Sequence, residues 1–248
     1  MGNGITALVT GASGGIGMAI VEALAREGYD IVGSMRAEKS EVLDKWDEWT
    51  GEYGVSIRPV YFDLKDEESV KEAVGPFLKD KEHPIGVLVN NAGVPYGATA
   101  MMTPIKDLRE VMQVNFFGSI FLSQLVAKRM MKNKSGSIVN IASVGGVEAS
   151  PGYLAYGSSK AALIHATKIM AVELAPAGVR VNAVAPGLTE TPMGHFKSDE
   201  ELSKVLARTP MGRMATPKEI AEMVVFLSGD KAKYVTGQVI AVDGGRTM

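Results

Sequence analysis

The stretch TALVTGASGGIGMAIVEALAR, Thr6 to Arg26, reads as a strand, a glycine-rich turn and a helix in succession. Its first five residues are largely apolar, and its last nine have helical periodicity. The glycines between them allow a tight turn and bring the backbone close to a ligand, while free N–H groups at a helix start favour phosphate. The stretch therefore predicts a phosphate-binding turn in an α/β fold. A glycine-rich turn without a ligand is the alternative.

Strand and helix signals alternate along the rest of the chain. Further strands are predicted at 30–35, 56–62, 85–89, 137–141, 180–185 and 238–242. Helices are predicted at 38–52, 67–81, 103–132, 153–175, 199–207 and 218–227, with a break at Gly75-Pro76 and an interruption at Asn115 and Gly118. No linker or repeat divides the alternation, so residues 1–248 are predicted to form a single α/β domain.

The composition argues for a small-molecule partner. With 46% hydrophobic residues and a net charge of −2, the chain has no basic footprint for nucleic acid or a membrane surface. Cysteine is absent, and His83, His165 and His195 have no ligand spacing, so no metal site is expected. The N-terminus lacks an apolar leader and the chain lacks a long apolar run. A soluble cytoplasmic protein is expected.

The ends of the second and third predicted strands bear on cofactor choice. An acidic residue at the second end would bind a ribose 2′-hydroxyl, but Met35 and then Arg36 stand there. Because a guanidinium suits a phosphate, NADP is favoured over NAD, although an exposed arginine can simply be solvated. Asp63 follows the third strand, where its carboxylate could accept a hydrogen bond from adenine or cap the next helix.

Polar residues also mark the ends of the fourth and fifth predicted strands, where open α/β sheets bind ligands. Asn90-Asn91-Ala92-Gly93 combines small residues with amides, which would admit a cofactor while tying the loop to neighbouring strands. Ser143 lies just beyond the fifth strand. Asn115 interrupts an apolar helical pattern and needs either a buried partner or a break in the backbone ladder.

Tyr156 and Lys160 are four residues apart in a predicted helix, so their side chains share one face. A nearby ammonium favours phenolate and would lower the pKa of the tyrosine toward the range of an acid/base catalyst. A packed aromatic ring beside a solvated lysine is the alternative.

The segment from about 188 to 215 is polar and irregular apart from its short helical signal, and it is long enough to form a lid. Met193, Met211 and Met214 flank it and would suit an adaptable apolar wall, or serve only as filler.

Taken together, Thr10-Gly-x-x-x-Gly-x-Gly17, Asn90-Asn-Ala-Gly93, Ser143, Tyr156-x-x-x-Lys160 and Pro186-Gly187 resemble the short-chain dehydrogenase/reductase family in order and spacing. Three later segments are similar to bacterial 3-oxoacyl-[acyl-carrier-protein] reductases: Thr209-Pro-Met-Gly-Arg213, Val235-Thr-Gly-Gln238 and Asp243-Gly-Gly245. Such segments also occur in sugar, steroid and general carbonyl reductases.

The resemblance implies one Rossmann-like, doubly wound domain with a seven-stranded parallel sheet, assembled as a homotetramer. It implies that Tyr156 protonates a carbonyl oxygen as hydride arrives from the nicotinamide, and that Ser143 hydrogen-bonds that oxygen. Lys160 would lower the pKa of Tyr156 and hold the nicotinamide ribose, while Asn115 would position a relay water. The expected cofactor contacts are Gly11, Ser13, Gly14, Gly15, Ile16, Gly17, Arg36, Asp63, Leu64, Asn91, Ala92, Gly93, Tyr156, Lys160, Pro186, Gly187 and Thr189.

Two positions depart from the pattern of these relatives. Gly14 stands where many NADP-dependent members carry a basic residue, and Val172 stands where acyl-carrier-protein reductases commonly have an arginine. Lys128 and Lys132 could still supply charge for a carrier protein. The expected activity is NADPH-dependent reduction of a 3-oxoacyl thioester. The alternatives are a dehydrogenase of a sterol, polyol or other secondary alcohol, and a catalytically silent dinucleotide sensor or scaffold.

Overall fold

Seven parallel strands form one sheet in the computed structural model, which describes residues 4–192 and 199–248. They are β1 (Thr6–Val9), β2 (Asp30–Met35), β3 (Ile57–Tyr61), β4 (Ile85–Asn90), β5 (Gly136–Ile141), β6 (Val179–Pro186) and β7 (Val239–Val242). The order across the sheet is β3-β2-β1-β4-β5-β6-β7. The chain thus winds outward in both directions from β1 and β4, which confirms the predicted Rossmann-like fold.

Helices connect the strands and cover both faces of the sheet. In the described ranges they are α1 (Gly15–Arg26), α2 (Ser40–Tyr53), α3 (Glu67–Lys79), α4 (Ile105–Met112), α5 (Ser119–Asn133), α6 (Leu154–Leu174), α7 (Asp199–Ala207) and α8 (Pro217–Ser228). Helices α1, α2 and α8 cover one face, and α3, α5 and α6 cover the other.

The burial of neighbouring residues in β1 explains why the sequence of this strand is a continuous apolar run. Ala7 and Val9 face the layer of α1, α2 and α8, whereas Leu8 faces the layer of α3, α5 and α6. All three are fully buried. A parallel strand covered on both faces has no solvent-facing side, so the polar alternation of an exposed strand is absent.

One predicted break is wrong. Helix α3 runs from Glu67 to Lys79 with Pro76 inside it, so Gly75-Pro76 does not interrupt it. Pro76 removes one N–H from the last part of the helix, on the side where Glu72, four residues earlier, is exposed to solvent. Water can therefore hydrogen-bond the carbonyl that loses its partner.

The predicted interruption at Asn115 and Gly118 is confirmed. Between α4 and α5 the backbone forms a π-helical turn from Gln113 to Gly118. Gly118 is required at its end, because a Cβ there would lie 2.4 Å from the carbonyl oxygen of Leu64. The turn lets α5 pack tightly against the loop after β3.

Residues 4–192 and 199–248 contain neither a membrane-spanning helix nor a cluster of metal ligands. No helix in these ranges is both long and apolar enough to cross a membrane. No three His, Asp or Glu side chains there are grouped to hold a metal ion. Met193 and His195 lie outside the described residues.

Candidate active site

The glycine turn after β1 is tied to the end of β4 by Thr10 and Asn91. The Thr10 hydroxyl accepts hydrogen bonds from the backbone N–H groups of Asn91 at 2.9 Å and Ala92 at 3.0 Å. In return, the Asn91 amide donates to the carbonyls of Thr10 at 2.9 Å and Gly11 at 3.1 Å. The predicted role of this amide in joining the loop to a neighbouring strand is confirmed.

The three glycines of the turn serve different needs. Gly11 has φ +62°, and a Cβ there would lie 2.9 Å from the Cα of Ala92. A Cβ on Gly17 would lie 2.1 Å from the carbonyl oxygen of Gly11. Gly15, with φ +52°, begins α1 and faces Thr191. The turn therefore admits no side chain at Gly11 or Gly17 without moving the backbone.

The start of α1 suits a phosphate. Gly14 is the N-cap, gives no side-chain cap, and has no atom within 4 Å of the position of a Cβ. The first N–H groups of a helix lack intrahelical acceptors, and the helix dipole favours an anion beside them. Open space at Gly14 in front of uncapped N–H groups fits a pyrophosphate.

Arg36 and Asp63 lie at the neighbouring carboxyl ends of β2 and β3. Arg36 is exposed and makes no ion pair with any residue in the described ranges. The Asp63 carboxylate accepts a hydrogen bond from the N–H of Lys65 at 2.9 Å. It does not cap α3, because Asp66 does so by accepting from Glu68 and Ser69. The capping alternative for Asp63 is therefore wrong.

The π-helical turn carries Asn115 into the loop after β4. Asn115 is fully buried, and its side chain both accepts from the N–H of Val94 at 2.8 Å and donates to the Val94 carbonyl at 3.0 Å. It also donates to the Ser159 hydroxyl at 3.0 Å. The amide thus joins α6 to the loop beside Gly93, which meets the predicted need for a buried partner.

Ser143 and Tyr156 are brought together by the segment between β5 and α6. The Ser143 hydroxyl accepts from the N–H of Gly145 at 3.1 Å and is hydrogen-bonded to the Tyr156 phenol. Burial raises the pKa of the Tyr156 phenol, and the hydrogen bond with Ser143 opposes that rise. The phenol is therefore protonated at neutral pH and can donate a proton.

Lys160 is buried beneath the tyrosine. Its ammonium donates to the carbonyl of Ile141 at 2.7 Å and lies 5.9 Å from the centre of the Tyr156 ring. Burial lowers the pKa of Lys160 to about 8. The expected lowering of the Tyr156 pKa by this ammonium is wrong for the protein alone. Burial raises the pKa of the phenol by more than the hydrogen bond with Ser143 lowers it.

Gly93 lies between Asn115 and Lys160. A Cβ on Gly93 would be 3.2 Å from the Asn115 carbonyl oxygen and 3.4 Å from the Lys160 ammonium. The ends of β4 and β5 and the first turns of α6 thus bring all four predicted catalytic residues to one edge of the sheet.

The remaining predicted cofactor residues line the same edge. Gly187 follows β6 and donates its N–H to Val242 at 2.9 Å, while the Thr189 hydroxyl donates to the Gly187 carbonyl at 3.2 Å. Leu64 is buried beside Gly118. Ser13 and Ile16 are half-buried in the glycine turn, and Pro186 is the last residue of β6.

Sequence reasoning missed Ser159 and the Ile141 carbonyl. The Ser159 hydroxyl donates to the Tyr156 carbonyl at 2.7 Å while accepting from Asn115. Its position three residues after Tyr156 places it on the same helix face, a signal that could have identified it. The Ile141 carbonyl belongs to the backbone and leaves no trace in residue types.

Comparisons with known proteins agree with this geometry. Residues 11–247 match the family described as enoyl-(acyl carrier protein) reductase. The chain is 40% identical to a 3-oxoacyl-[acyl-carrier-protein] reductase of Thermotoga maritima, covering 98% of this chain and 97% of the relative. It is 36% identical to an acetoacetyl-CoA reductase of an Acinetobacter species, covering 98% and 97%. A gluconate 5-dehydrogenase of Burkholderia cenocepacia, solved with NADP and tartrate, superposes with a TM-score of 0.92 at 30% identity, covering 100% and 96%.

Proposed function

Because the chain belongs to the short-chain dehydrogenase/reductase family of oxidoreductases, we propose that it reduces a 3-oxoacyl thioester with NADPH in fatty-acid synthesis. One observation carries the proposal. Ser143, Tyr156 and Lys160 meet beside Gly93 and Asn115, at the sheet edge that also carries the glycine turn and the open space at Gly14. A proton donor, a polarising hydroxyl and a cofactor cradle are the groups that carbonyl reduction requires of a protein.

In this proposal the four site residues have different tasks. NADPH, when bound, supplies the hydride to the carbonyl carbon. The Ser143 hydroxyl hydrogen-bonds the carbonyl oxygen, and the Tyr156 phenol gives its proton to that oxygen. Lys160 places a positive charge under the phenol and holds the nicotinamide ribose, and Asn115 positions a water that returns a proton to Lys160.

Two parts of the sheet edge would hold the cofactor: the glycine turn after β1, and the residues that follow β2 and β3. The glycine turn and the start of α1 would hold the pyrophosphate, and Arg36 would bind the 2′-phosphate of NADP. One carboxylate oxygen of Asp63 has no hydrogen bond to the described residues and would accept from the adenine amino group. The relative solved with NADP supports the same choice of cofactor.

Replacing Arg36 tests whether this residue binds the 2′-phosphate of NADP. Arg36→Ala should lower kcat/KM for NADPH by about 10- to 100-fold, which corresponds to one hydrogen bond to a charged group, and change kcat/KM for NADH little. Steady-state kinetics with both cofactors measures this. Lys39→Ala, an exposed neighbour at the start of α2, is the charge-matched control. Equal losses for both cofactors would show that Arg36 does not bind the phosphate.

A carrier protein is the second part of the proposal. Val172 is 77% exposed on α6 and supplies no charge, while Lys128 and Lys132 are exposed on α5. An acidic carrier would meet these lysines but not the arginine that its usual enzymes place at the position of Val172. We therefore propose that the rate of acyl reduction depends little on whether the acyl group is attached to carrier protein or to coenzyme A. The similarity to an acetoacetyl-CoA reductase supports this proposal.

Acetoacetyl thioesters test both parts. NADPH-dependent reduction should be seen with acetoacetyl groups on coenzyme A and on carrier protein, with kcat/KM values within about tenfold of each other. The ratio should change little between low and moderate ionic strength. A large carrier preference that salt removes would restore a docking role. No thioester reduction would reject the proposed substrate.

A secondary alcohol or its ketone is the second candidate substrate. The resemblance to a gluconate 5-dehydrogenase across the whole chain favours it. The chemistry at Ser143 and Tyr156 is the same in either direction, so the two candidates differ only in the groups that contact the rest of the substrate.

We also propose that residues 1–248 act as one domain, that residues 188–215 form a lid, and that the chain assembles as a homotetramer. Exposed apolar side chains near the start of α4 and in the π-helical turn supply surface that subunit contacts would bury: Met101, Met102, Ile105 and Phe117. Single exposed apolar side chains are normal on a protein surface, whereas a group of several is typical of an interaction site.

A further inference from the structure

The residues after β7 form a turn at the edge of the sheet that carries the candidate active site. The Asp243 carboxylate accepts from the N–H of Gly245 at 2.9 Å and from the N–H and hydroxyl of Thr247 at 2.9 Å and 2.7 Å. Gly244 accepts from the N–H of Met211 at 3.1 Å, in the proposed lid. This turn places Arg246, within it, against the loop that follows Ser143.

Glu148 belongs to that loop and faces two arginines. Its Oε1 accepts from Arg208 at 2.9 Å, just after α7. Its Oε2 lies 3.9 Å from the Nε of Arg246, beyond hydrogen-bonding distance. Both of these atoms are buried without a hydrogen-bond partner. The two guanidinium groups therefore share the Glu148 carboxylate, and the contact with Arg246 is the longer of the two.

Arg246 is the more buried and the less closely paired of the two arginines. Its side chain is only 11% exposed, whereas that of Arg208 is 67% exposed and can be solvated. The Nε of Arg246 donates no hydrogen bond to a residue in the described ranges. A largely buried guanidinium whose one ion pair is long, and whose Nε lacks a hydrogen bond to the described residues, is poorly satisfied, so beside the Ser143 loop it is suited to bind an anionic ligand.

We infer that Arg246 binds a carboxylate of a second class of substrate, and that the protein reduces small oxo acids in addition to thioesters. A guanidinium donates two parallel hydrogen bonds to a carboxylate, which fixes the orientation of a small molecule better than one point charge does. Glu148, already neutralised by Arg208, holds the guanidinium in place. The inference rests on the proposed hydride transfer. It adds that the substrate carries a carboxylate at some distance from the carbon that accepts the hydride.

The chemistry of the reacting carbon is unchanged. Hydride from NADPH forms a new C–H bond at the ketone carbon, the C=O π bond breaks, and the oxygen takes the Tyr156 proton. The products are a hydroxy acid and NADP⁺. The carboxylate remains ionised throughout, so Arg246 is a specificity-determining residue and not an acid or a base.

Matched acids and esters test the inference. Acetoacetate, 4-oxopentanoate and 5-oxohexanoate would each be compared with its methyl ester in NADPH oxidation assays. At least one acid should exceed its ester in kcat/KM by about 10-fold or more, the scale of a charge-assisted hydrogen bond. Arg246→Met should reduce that acid-to-ester ratio to about one, and Arg246→Lys should retain part of it. Lys231→Met, an exposed lysine after α8, should leave the ratio unchanged.

Binding separates this inference from the proposed activity. Calorimetry on the NADP⁺-loaded protein should show 5-oxohexanoate or 4-oxopentanoate binding more tightly than its ester, and Arg246→Met should remove the difference. If thioesters and esters are reduced but no acid is preferred in rate or binding, the inference fails while hydride transfer stands. If no ketone is reduced yet the Arg246-dependent binding is present, the proposed activity fails and the carboxylate site stands. An acid preference that survives in Arg246→Met overturns the site.

Discussion

Tyr156→Phe is expected to lower kcat for ketone reduction by at least about 100-fold, the lower end of general acid catalysis. The substitution removes only the hydroxyl that would give its proton to the carbonyl oxygen. Burial keeps that hydroxyl protonated at neutral pH by raising its pKa, and phenylalanine can fill the same space. NADPH affinity, measured by fluorescence titration, should change by less than about twofold, because the ring and its helix remain.

The control for Tyr156 is another tyrosine. Tyr234 is fully exposed after α8, and Tyr234→Phe should retain full turnover. Turnover of Tyr156→Phe close to that of the unmodified protein would show that another group supplies the proton. A large loss of NADPH affinity would instead indicate that the hydroxyl serves binding.

Lys160→Met is expected to have an effect of similar size and to change the pH profile as well. Burial lowers the pKa of Lys160 to about 8, so raising the pH through 8 removes its charge. Reduction by the unmodified protein should therefore decline above about pH 8. The variant should be slower by about 100-fold or more at pH 7 and should lack that decline, since a preorganised charge typically contributes this much.

Stability measurements separate charge from folding in this variant. Because the pKa of Lys160 is lower in the folded protein than in the unfolded chain, its charge opposes folding below about pH 8, and this cost fades as the pH rises further. Lys160→Met should therefore remain folded at pH 7 in urea titrations. Lys168→Met, exposed on the same helix, is the matched control and should retain activity. A decline above pH 8 that persists in Lys160→Met would assign it to another group.

Local patterns were sufficient for most of the fold. The strand, turn and helix at Thr6–Arg26 follow from apolar periodicity and glycine positions, which depend on neighbouring residues only. The interruption at Asn115 was also predictable, because a buried amide cannot remain unpaired in an apolar helix. Pro76 misled the prediction because a missing N–H is tolerated where the freed carbonyl can reach water.

The parts that sequence could not supply depend on distant contacts. Glu148 and Arg246 meet only because β5 and β7 end at the same edge of the sheet. The pKa of Tyr156 was predicted from its spacing to Lys160 alone. Burial has the largest effect on this pKa, and the burial of a side chain depends on the whole of the surrounding structure.

The π-helical turn from Gln113 to Gly118 links the regularity of a long helix to the integrity of the site. A π turn contains one residue more than an α turn, and each residue of an α-helix rotates the chain by about 100°. Deleting one residue here would make α4 and α5 a single regular helix, yet would turn Asn115 away from Val94 and Ser159. Helices α4 and α5 are therefore out of phase by one residue, and the contacts of Asn115 depend on that offset.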